Sequence, residues 1–125
     1  MIKEAYCSFE VAKLMKEKGF NEPCFYYYKD EVLIFSPFLK GRNSYQTDTY
    51  SAPTHQMAMA WLREEKNIFI VIEPHAYDYV NEKNESYVCS LWVGDNYYEY
   101  IESRDYPSYE EAVEAALKYV LKNLI

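Results

Sequence analysis

The C-terminal segment is the part of the sequence that most restricts the fold. Ser-Tyr-Glu-Glu at 108–111 is a capping box, in which the Ser108 hydroxyl accepts from the third helical amide and Glu111 reaches back to the cap. Glu114 follows in the acidic first half, where negative charge suits the helix dipole. Apolar residues then recur at helical spacing and form one stripe: Val113, Ala116, Leu117, Val120, Leu121 and Leu124. We predict a long amphipathic helix whose apolar face needs other elements to cover it.

Two further helices are predicted upstream. The first runs over about residues 9–18, with Ser8 as its N-cap and Gly19 just beyond its end. The second begins at residue 53 or 54 and ends near residue 66, where Asn67 can take the positive φ of a residue that follows a helix. The chain therefore carries helices near its start, middle and end.

Short β-branched and aromatic runs between these helices predict strands. Residues 24–28 and 32–35 are separated by Lys-Asp-Glu and indicate a tight hairpin. Residues 68–72 are apolar on both faces, as in a central strand, and turn residues at 94–96 join two further runs, 87–93 and 97–101. The polar stretches 39–52 and 74–85 are predicted to be irregular.

The predicted order of elements is α-β-β-α-β-β-β-α. This order favours an α+β fold with a mostly antiparallel sheet of about five strands and three helices packed mainly on one face. The chain has 125 residues, no internal repeat and no linker, so we predict a single α+β domain over residues 1–125.

The overall charge narrows the classes of partner. Thirteen basic residues stand against 20 acidic ones, which gives a formal net charge of −7. This balance argues against binding to a nucleic-acid backbone. No stretch approaches the length of a membrane span and no secretory leader is evident, so we expect a cytoplasmic protein with no membrane partner.

The cysteines and histidines match no known motif. Cys7, Cys24 and Cys89 are odd in number and far apart, so we expect reduced thiols rather than disulfides. His55 and His75 have no metal-ligand spacing, and we predict no metal and no cofactor. The sequence does not show whether either histidine approaches a cysteine in the fold, and it offers no catalytic residue.

Three segments carry a resemblance to a known family. They are Ser-Phe-Glu-Val-Ala-Lys-Leu-Met-Lys-Glu-Lys-Gly-Phe at 8–20, Ala-Pro-Thr-His-Gln-Met-Ala-Met-Ala-Trp-Leu-Arg-Glu-Glu-Lys-Asn-Ile at 52–68 and Tyr-Glu-Glu-Ala-Val-Glu-Ala-Ala-Leu-Lys-Tyr at 109–119. Together they resemble a family of small uncharacterised proteins of gut Bacteroidales and their phages and mobile elements. The resemblance covers the chain in matching order and least in its middle loops. It implies a phage or mobile-element origin and a cytoplasmic setting, and it brings no activity.

The loop that precedes the second helix is the first candidate site. It places two basic residues and a glycine before a helix N-terminus, where free amides and the helix dipole attract anions. One hypothesis is therefore that a phosphate or carboxylate binds there, and the other is an ordinary solvated loop beside a capped helix. The candidate ligand-binding residues are Lys40, Arg42, Thr54, His55 and Gln56.

The tyrosines supply the second candidate site. The chain has 15 tyrosines, and seven of them lie on predicted strands. Since side chains alternate across a strand and helices cover one face of the sheet, several rings are expected on the open face. We predict a tyrosine-rich interface formed by Tyr97, Tyr98 and Tyr100.

These features favour a non-enzymatic accessory protein that binds a protein partner or a second copy of itself. The alternative is a small enzyme or small-anion-binding protein that uses residues 39–56. A pocket with convergent polar groups near Arg42 and His55 would favour the alternative, whereas a flat aromatic face would favour the interaction protein.

Overall fold

The computed structural model describes residues 1–37, 41–45 and 47–125, with all their side chains except that of Tyr45. Within these residues the α+β class predicted from the sequence is confirmed. The elements follow one another as α1 (Phe9–Glu17), β1 (Tyr26–Lys29), β2 (Val32–Phe35), a short 3-10 helix (Asn43–Tyr45), β3 (Tyr50–Ser51), α2 (His55–Lys66), β4 (Ile68–Asp78), β5 (Lys83–Val93), β6 (Asn96–Tyr98) and α3 (Tyr109–Asn123).

The strands form two three-stranded antiparallel sheets, so the prediction of one sheet of about five strands was wrong. The first sheet has the order β2-β1-β3 and the second has the order β4-β5-β6. In the first sheet β1 is the central strand, because Tyr28 pairs with Leu33 of β2 and with Tyr50 of β3. No edge of β1 is left for the later strands, which pair among themselves.

Asn43 fixes the short 3-10 helix, which lies in the stretch predicted to be irregular, against the residues around it. Its buried amide donates from Nδ2 to the carbonyl of Phe20 at 2.8 Å and accepts from the Ser51 amide at 2.8 Å. Gly41 is paired with Cys24 through backbone hydrogen bonds just upstream. These contacts satisfy buried polar groups and bring β3 alongside β1.

The stretch 74–85 is also more regular than predicted, because β4 and β5 extend into a long hairpin. Their register shifts on either side of Ala76, which marks a bulge. Pro74 is tolerated because β4 has a ladder partner on one side only, as an edge strand. At the other end, β6 stops at Tyr98 rather than residue 101, since Tyr100 and Glu102 have positive φ values of 54° and 61°.

The core lies between the helices and the second sheet. Leu91 and Ile68 of that sheet share one buried cluster with Leu117 of α3 and Leu62 of α2. The predicted helix starts are present, since the side chains of Ser8, Thr54 and Ser108 cap α1, α2 and α3. In the part of the chain that is described, each helix is too short or too polar to cross a membrane.

Candidate functional site

Three polar side chains come together inside the molecule where the starts of α1 and α2 lie against α3. We name them the Cys7–His55–Glu114 cluster. Cys7 lies just before the cap of α1, His55 is the first residue of α2, and Glu114 lies in the first half of α3. One donor atom from each of the three side chains lies within 4.8 Å of the other two. Cys7 and His55 are buried and Glu114 is partly buried. The fold therefore answers the question that the sequence left open, because one histidine does meet a cysteine.

Backbone hydrogen bonds hold the N-terminal segment against the start of α2. The Cys7 amide donates to the Pro53 carbonyl at 2.9 Å, and the His55 amide donates to the Ala5 carbonyl at 2.8 Å. The Tyr28 hydroxyl donates to the Cys7 carbonyl at 2.8 Å. These bonds use only the main chain of Cys7 and His55, so both side chains remain available for contacts inside the molecule.

Both carboxylate oxygens of Glu114 have a partner. Oε1 accepts from the Ser8 amide at 3.0 Å, and Oε2 lies 3.1 Å from His55 Nε2. Burial acts to raise the pKa of Glu114, but the hydrogen bonds from His55 and Ser8 outweigh it and hold that pKa below its ordinary value. Glu114 is therefore an ionised carboxylate at neutral pH.

The cluster has the residue types of a cysteine-histidine-carboxylate triad but not its accessibility. Cys7 is completely buried, and burial together with the charge of Glu114 raises the pKa of its thiol far above the ordinary value. A nucleophilic cysteine needs a reachable thiolate, which forms where the pKa is lowered. The geometry therefore does not support nucleophilic catalysis by Cys7.

The predicted anion-binding residues are only partly brought together. Thr54, His55 and Gln56 line a cavity of about 260 Å³ whose walls also include Glu4 and Glu110. Thr54 uses its hydroxyl to cap α2, accepting from the Met57 amide at 3.1 Å.

The two basic residues of the anion-binding prediction are not found among the described residues that line this cavity. Arg42 is exposed and is not among the residues that line it, and Lys40 lies outside the described residues. Anion binding at this helix start stays a prediction.

Three aromatic side chains form a line across the second sheet, which we name the aromatic row. Phe69 of β4 pairs with Trp92 of β5, and Trp92 pairs with Tyr97 of β6. Because paired residues point to the same face and neighbours alternate, these rings face away from the helices, on the side opposite Ile68 and Leu91. They are 42%, 42% and 47% exposed, and the Trp92 and Tyr97 ring centroids are 4.9 Å apart.

The three tyrosines predicted as an interface do not form one patch. Tyr97 belongs to the aromatic row, whereas Tyr98 pairs with Leu91 and therefore lies on the helix side, exposed at the edge of the sheet. Tyr100 is half-buried, with the Arg104 guanidinium 4.6 Å above its ring. A common role for Tyr97, Tyr98 and Tyr100 stays a prediction.

Sequence reasoning missed four residues of these two features. Phe69 and Trp92 were detectable, because each alternates with apolar residues that face the core, Ile68 and Leu91 respectively. Glu114 was detectable too, since it lies three residues before Leu117 on the buried stripe of α3. Cys7 carried no local signal.

The charge around the aromatic row is negative. Glu73 occupies the same face as Phe69, four residues along β4, and Asp95 lies in the turn between Trp92 and Tyr97. The molecule thus presents a buried polar cluster and an exposed, acid-flanked aromatic row.

Comparison of the chain with protein-family models, with curated proteins and with solved structures found no match.

Proposed function

We propose that this protein is a non-enzymatic accessory protein that binds a protein partner through the aromatic row Phe69, Trp92 and Tyr97. The observation that carries the proposal is the register of these rings, each more than two-fifths exposed, on the face that the helices leave open. Aromatic residues dominate the binding energy of protein interfaces. The resemblance to proteins of phages and mobile elements adds the proposed setting, an accessory role in the cytoplasm.

The size of the row is sufficient for a central binding patch. Fully exposed aromatic side chains present about 150–250 Å² each, so the uncovered part of three rings amounts to roughly 250 Å². Burying that area contributes about 6 kcal/mol before the costs of association are subtracted. The row would then be the core of an interface, with polar contacts around it.

Charge determines the chemistry of the proposed partner. Glu73 shares the face of the row, Asp95 borders it, and the chain carries a net charge of −7. A partner with arginine or lysine around an apolar centre would complement this surface, and arginine also stacks on aromatic rings, as Arg104 does on Tyr100. A second copy of the chain would bring acidic residues against acidic residues, so a basic protein is the favoured occupant.

The test compares two double variants in capture experiments from the native host cell. Trp92→Ser with Tyr97→Ser removes two of the three rings of the row, while Tyr79→Ser with Val80→Ser removes two apolar side chains that are even more exposed, at the tip of the β4–β5 hairpin. We expect one basic protein to be captured by the wild type and the tip variant. Its affinity for the row variant, measured with purified components, should fall by about 30-fold or more, which corresponds to about 2 kcal/mol.

Two results would contradict this proposal. One is a partner that binds the row variant as tightly as the wild type while circular dichroism shows all proteins folded. The other is a dimer of the wild type and of the tip variant in light scattering, with the row variant a monomer. The occupant of the row would then be a second copy of the chain.

The alternative function keeps one supporting observation, the cavity beside Thr54, His55 and Gln56. Against it, Glu4 and Glu110 place negative charge in that cavity, and the His55 ring faces Glu114 in the interior. Titration with phosphate and nucleotides, followed by the amide resonances of residues 54–56, tests it. Shifts that saturate at millimolar ligand would favour the anion-binding protein.

A further inference from the structure

We propose that the Cys7–His55–Glu114 cluster is a binding site for one divalent transition-metal ion of the zinc class. The sequence predicted no metal because its ligand spacing matches no motif. The structure joins ligands that are far apart in the chain: His55 and Glu114 are separated by 59 residues. This inference does not depend on the aromatic row and concerns different residues.

The donor set indicates the kind of ion. A thiolate, an imidazole and a carboxylate together suit Zn²⁺ and Co²⁺, whereas Mg²⁺ and Ca²⁺ prefer oxygen donors throughout. Zinc commonly takes three protein ligands with water in the fourth position. Cys7 Sγ, His55 Nε2 and one oxygen of Glu114 supply these three ligands.

The distances require only a small adjustment. Bonds of about 2.0–2.3 Å in a tetrahedral arrangement separate neighbouring donor atoms by roughly 3.3–3.6 Å. His55 Nε2 and Glu114 Oε2 are already 3.1 Å apart, and all three donor atoms lie within 4.8 Å of one another. On binding, the Cys7 thiol would release its proton to solvent and His55 Nε2 would coordinate without a proton, as metal ligands must. The Cys7 side chain would move inward by about an ångström to reach tetrahedral spacing.

Contacts outside the cluster orient the ligands. The Ser8 amide donates to Glu114 Oε1, which leaves Oε2 directed at His55. The Tyr28 hydroxyl and the Pro53 carbonyl hold the main chain of Cys7, and the Ala5 carbonyl holds that of His55. Hydrogen bonds of this kind fix ligand geometry in metal sites and reduce the entropy lost on binding.

Two cavities border the cluster, one on the side of His55 and one on the side of Glu114. His55 lines the cavity of about 260 Å³ described above, and Glu114 lines a separate cavity of about 450 Å³ together with Glu111 and Lys118. These openings supply an entry path for the ion and room for a water ligand. A bound ion would connect the N-terminal segment, α2 and α3, so binding should stabilise the folded state.

Cobalt is the direct probe, since it reports its ligands by absorption. Full-length protein without an affinity tag would be treated with EDTA, exchanged into buffer and titrated with Co²⁺ alone, then with competing Zn²⁺. We expect one equivalent to give visible bands of tetrahedral cobalt and a near-ultraviolet band from thiolate-to-cobalt charge transfer. Zinc should abolish both and raise the melting temperature.

Matched variants identify the ligands. Cys7→Ser should remove the charge-transfer band, and His55→Gln and Glu114→Gln should each weaken cobalt binding at least tenfold. Cys89→Ser and His75→Gln change the same residue types elsewhere in the fold and should leave the spectrum unchanged. Circular dichroism verifies that each variant is folded.

X-ray absorption of the zinc-loaded wild type needs no variant and keeps the proposal testable if Cys7→Ser fails to fold. We expect one sulfur at about 2.3 Å together with nitrogen and oxygen ligands. A shell without sulfur would overturn the proposal. So would the lack of saturable binding, or a thiolate band that persists in folded Cys7→Ser.

Discussion

The Glu114 carboxylate connects three helices, because it lies on α3 and contacts the cap of α1 and the first residue of α2. Replacing Glu114 with alanine removes the acceptor of the Ser8 amide and the partner of the buried His55 ring. We expect Glu114→Ala to lower the free energy of unfolding of the metal-free protein by about 2 kcal/mol, because partly buried groups lose hydrogen bonds to a charge. Urea denaturation in the presence of EDTA measures this change.

Two comparisons make the result specific. Glu114→Gln keeps an acceptor for Ser8 and should destabilise less, while Glu65→Ala, an exposed change on α2, should stay within about 0.5 kcal/mol of the wild type. Equal effects of Glu114→Ala and Glu65→Ala would show that the cluster contributes nothing to stability.

The three thiols should be inert while the protein is folded. Cys7, Cys24 and Cys89 are all buried, and burial together with the nearby charge of Glu102 raises the pKa of Cys89 to about 11. Because iodoacetamide reacts with accessible thiolates, labelling near neutral pH should follow the rate of unfolding and rise with urea at all three sites. Mass spectrometry after short exposure measures it. Rapid labelling of Cys7 alone would contradict the burial of its thiol and favour an enzyme.

At the residue scale, the sequence was informative where the interaction is local. The caps Ser8 and Ser108 were predicted because each bonds an amide three residues ahead, whereas for α2 the sequence left Ser51 and Thr54 as alternatives, of which Thr54 is the cap. The approach of Cys7 to His55 and Glu114 was not predicted, since it depends on how α1, α2 and α3 pack together. No pattern within any one helix specifies that arrangement.

The turn between β1 and β2 is a strained element that the hairpin prediction did not reveal. Asp30 and Glu31 have φ values of 51° and 62°, a conformation that residues with a Cβ adopt at a cost. Glu31→Gly should therefore stabilise the protein by about 0.5–1 kcal/mol. Thermal denaturation would test this, with Glu31→Ala as the control that removes the charge but keeps the Cβ. An equal gain from alanine would assign the effect to charge rather than to the backbone.

At the element scale, the type of most segments was predictable but their pairing was not. The hairpin of residues 24–28 and 32–35 follows from local pattern and is observed as β1 and β2. β3 is only two residues long, too short to leave a periodic signal, yet its pairing with β1 closes the first sheet. The prediction of a single sheet was therefore wrong, because the pairing of strands depends on which strand edges the packing of the helices brings together.

At the scale of the whole molecule, one core joins the three helices and the second sheet. Met15 of α1 and Leu91 of β5 belong to the same buried cluster, and α3 contacts α1, α2 and the second sheet. The first sheet adjoins this core through α1, which packs on β3. The chain should then unfold in one transition, although its strands form two separate ladders.

Replacing Leu117 tests whether the chain unfolds in one transition. Its fully buried side chain lies on α3, which packs against both α1 and the second sheet. Leu117→Ala should lower the free energy of unfolding by about 3 kcal/mol, through lost burial and the cavity left behind. Native-state hydrogen exchange should show equal losses of protection in β1 and β5, whereas Leu33→Ala, on the exposed β2, should change both by less than about 1 kcal/mol. If protection falls in β5 and is unchanged in β1, the sheets unfold separately, and residues 1–125 comprise two units instead of the single domain that was predicted.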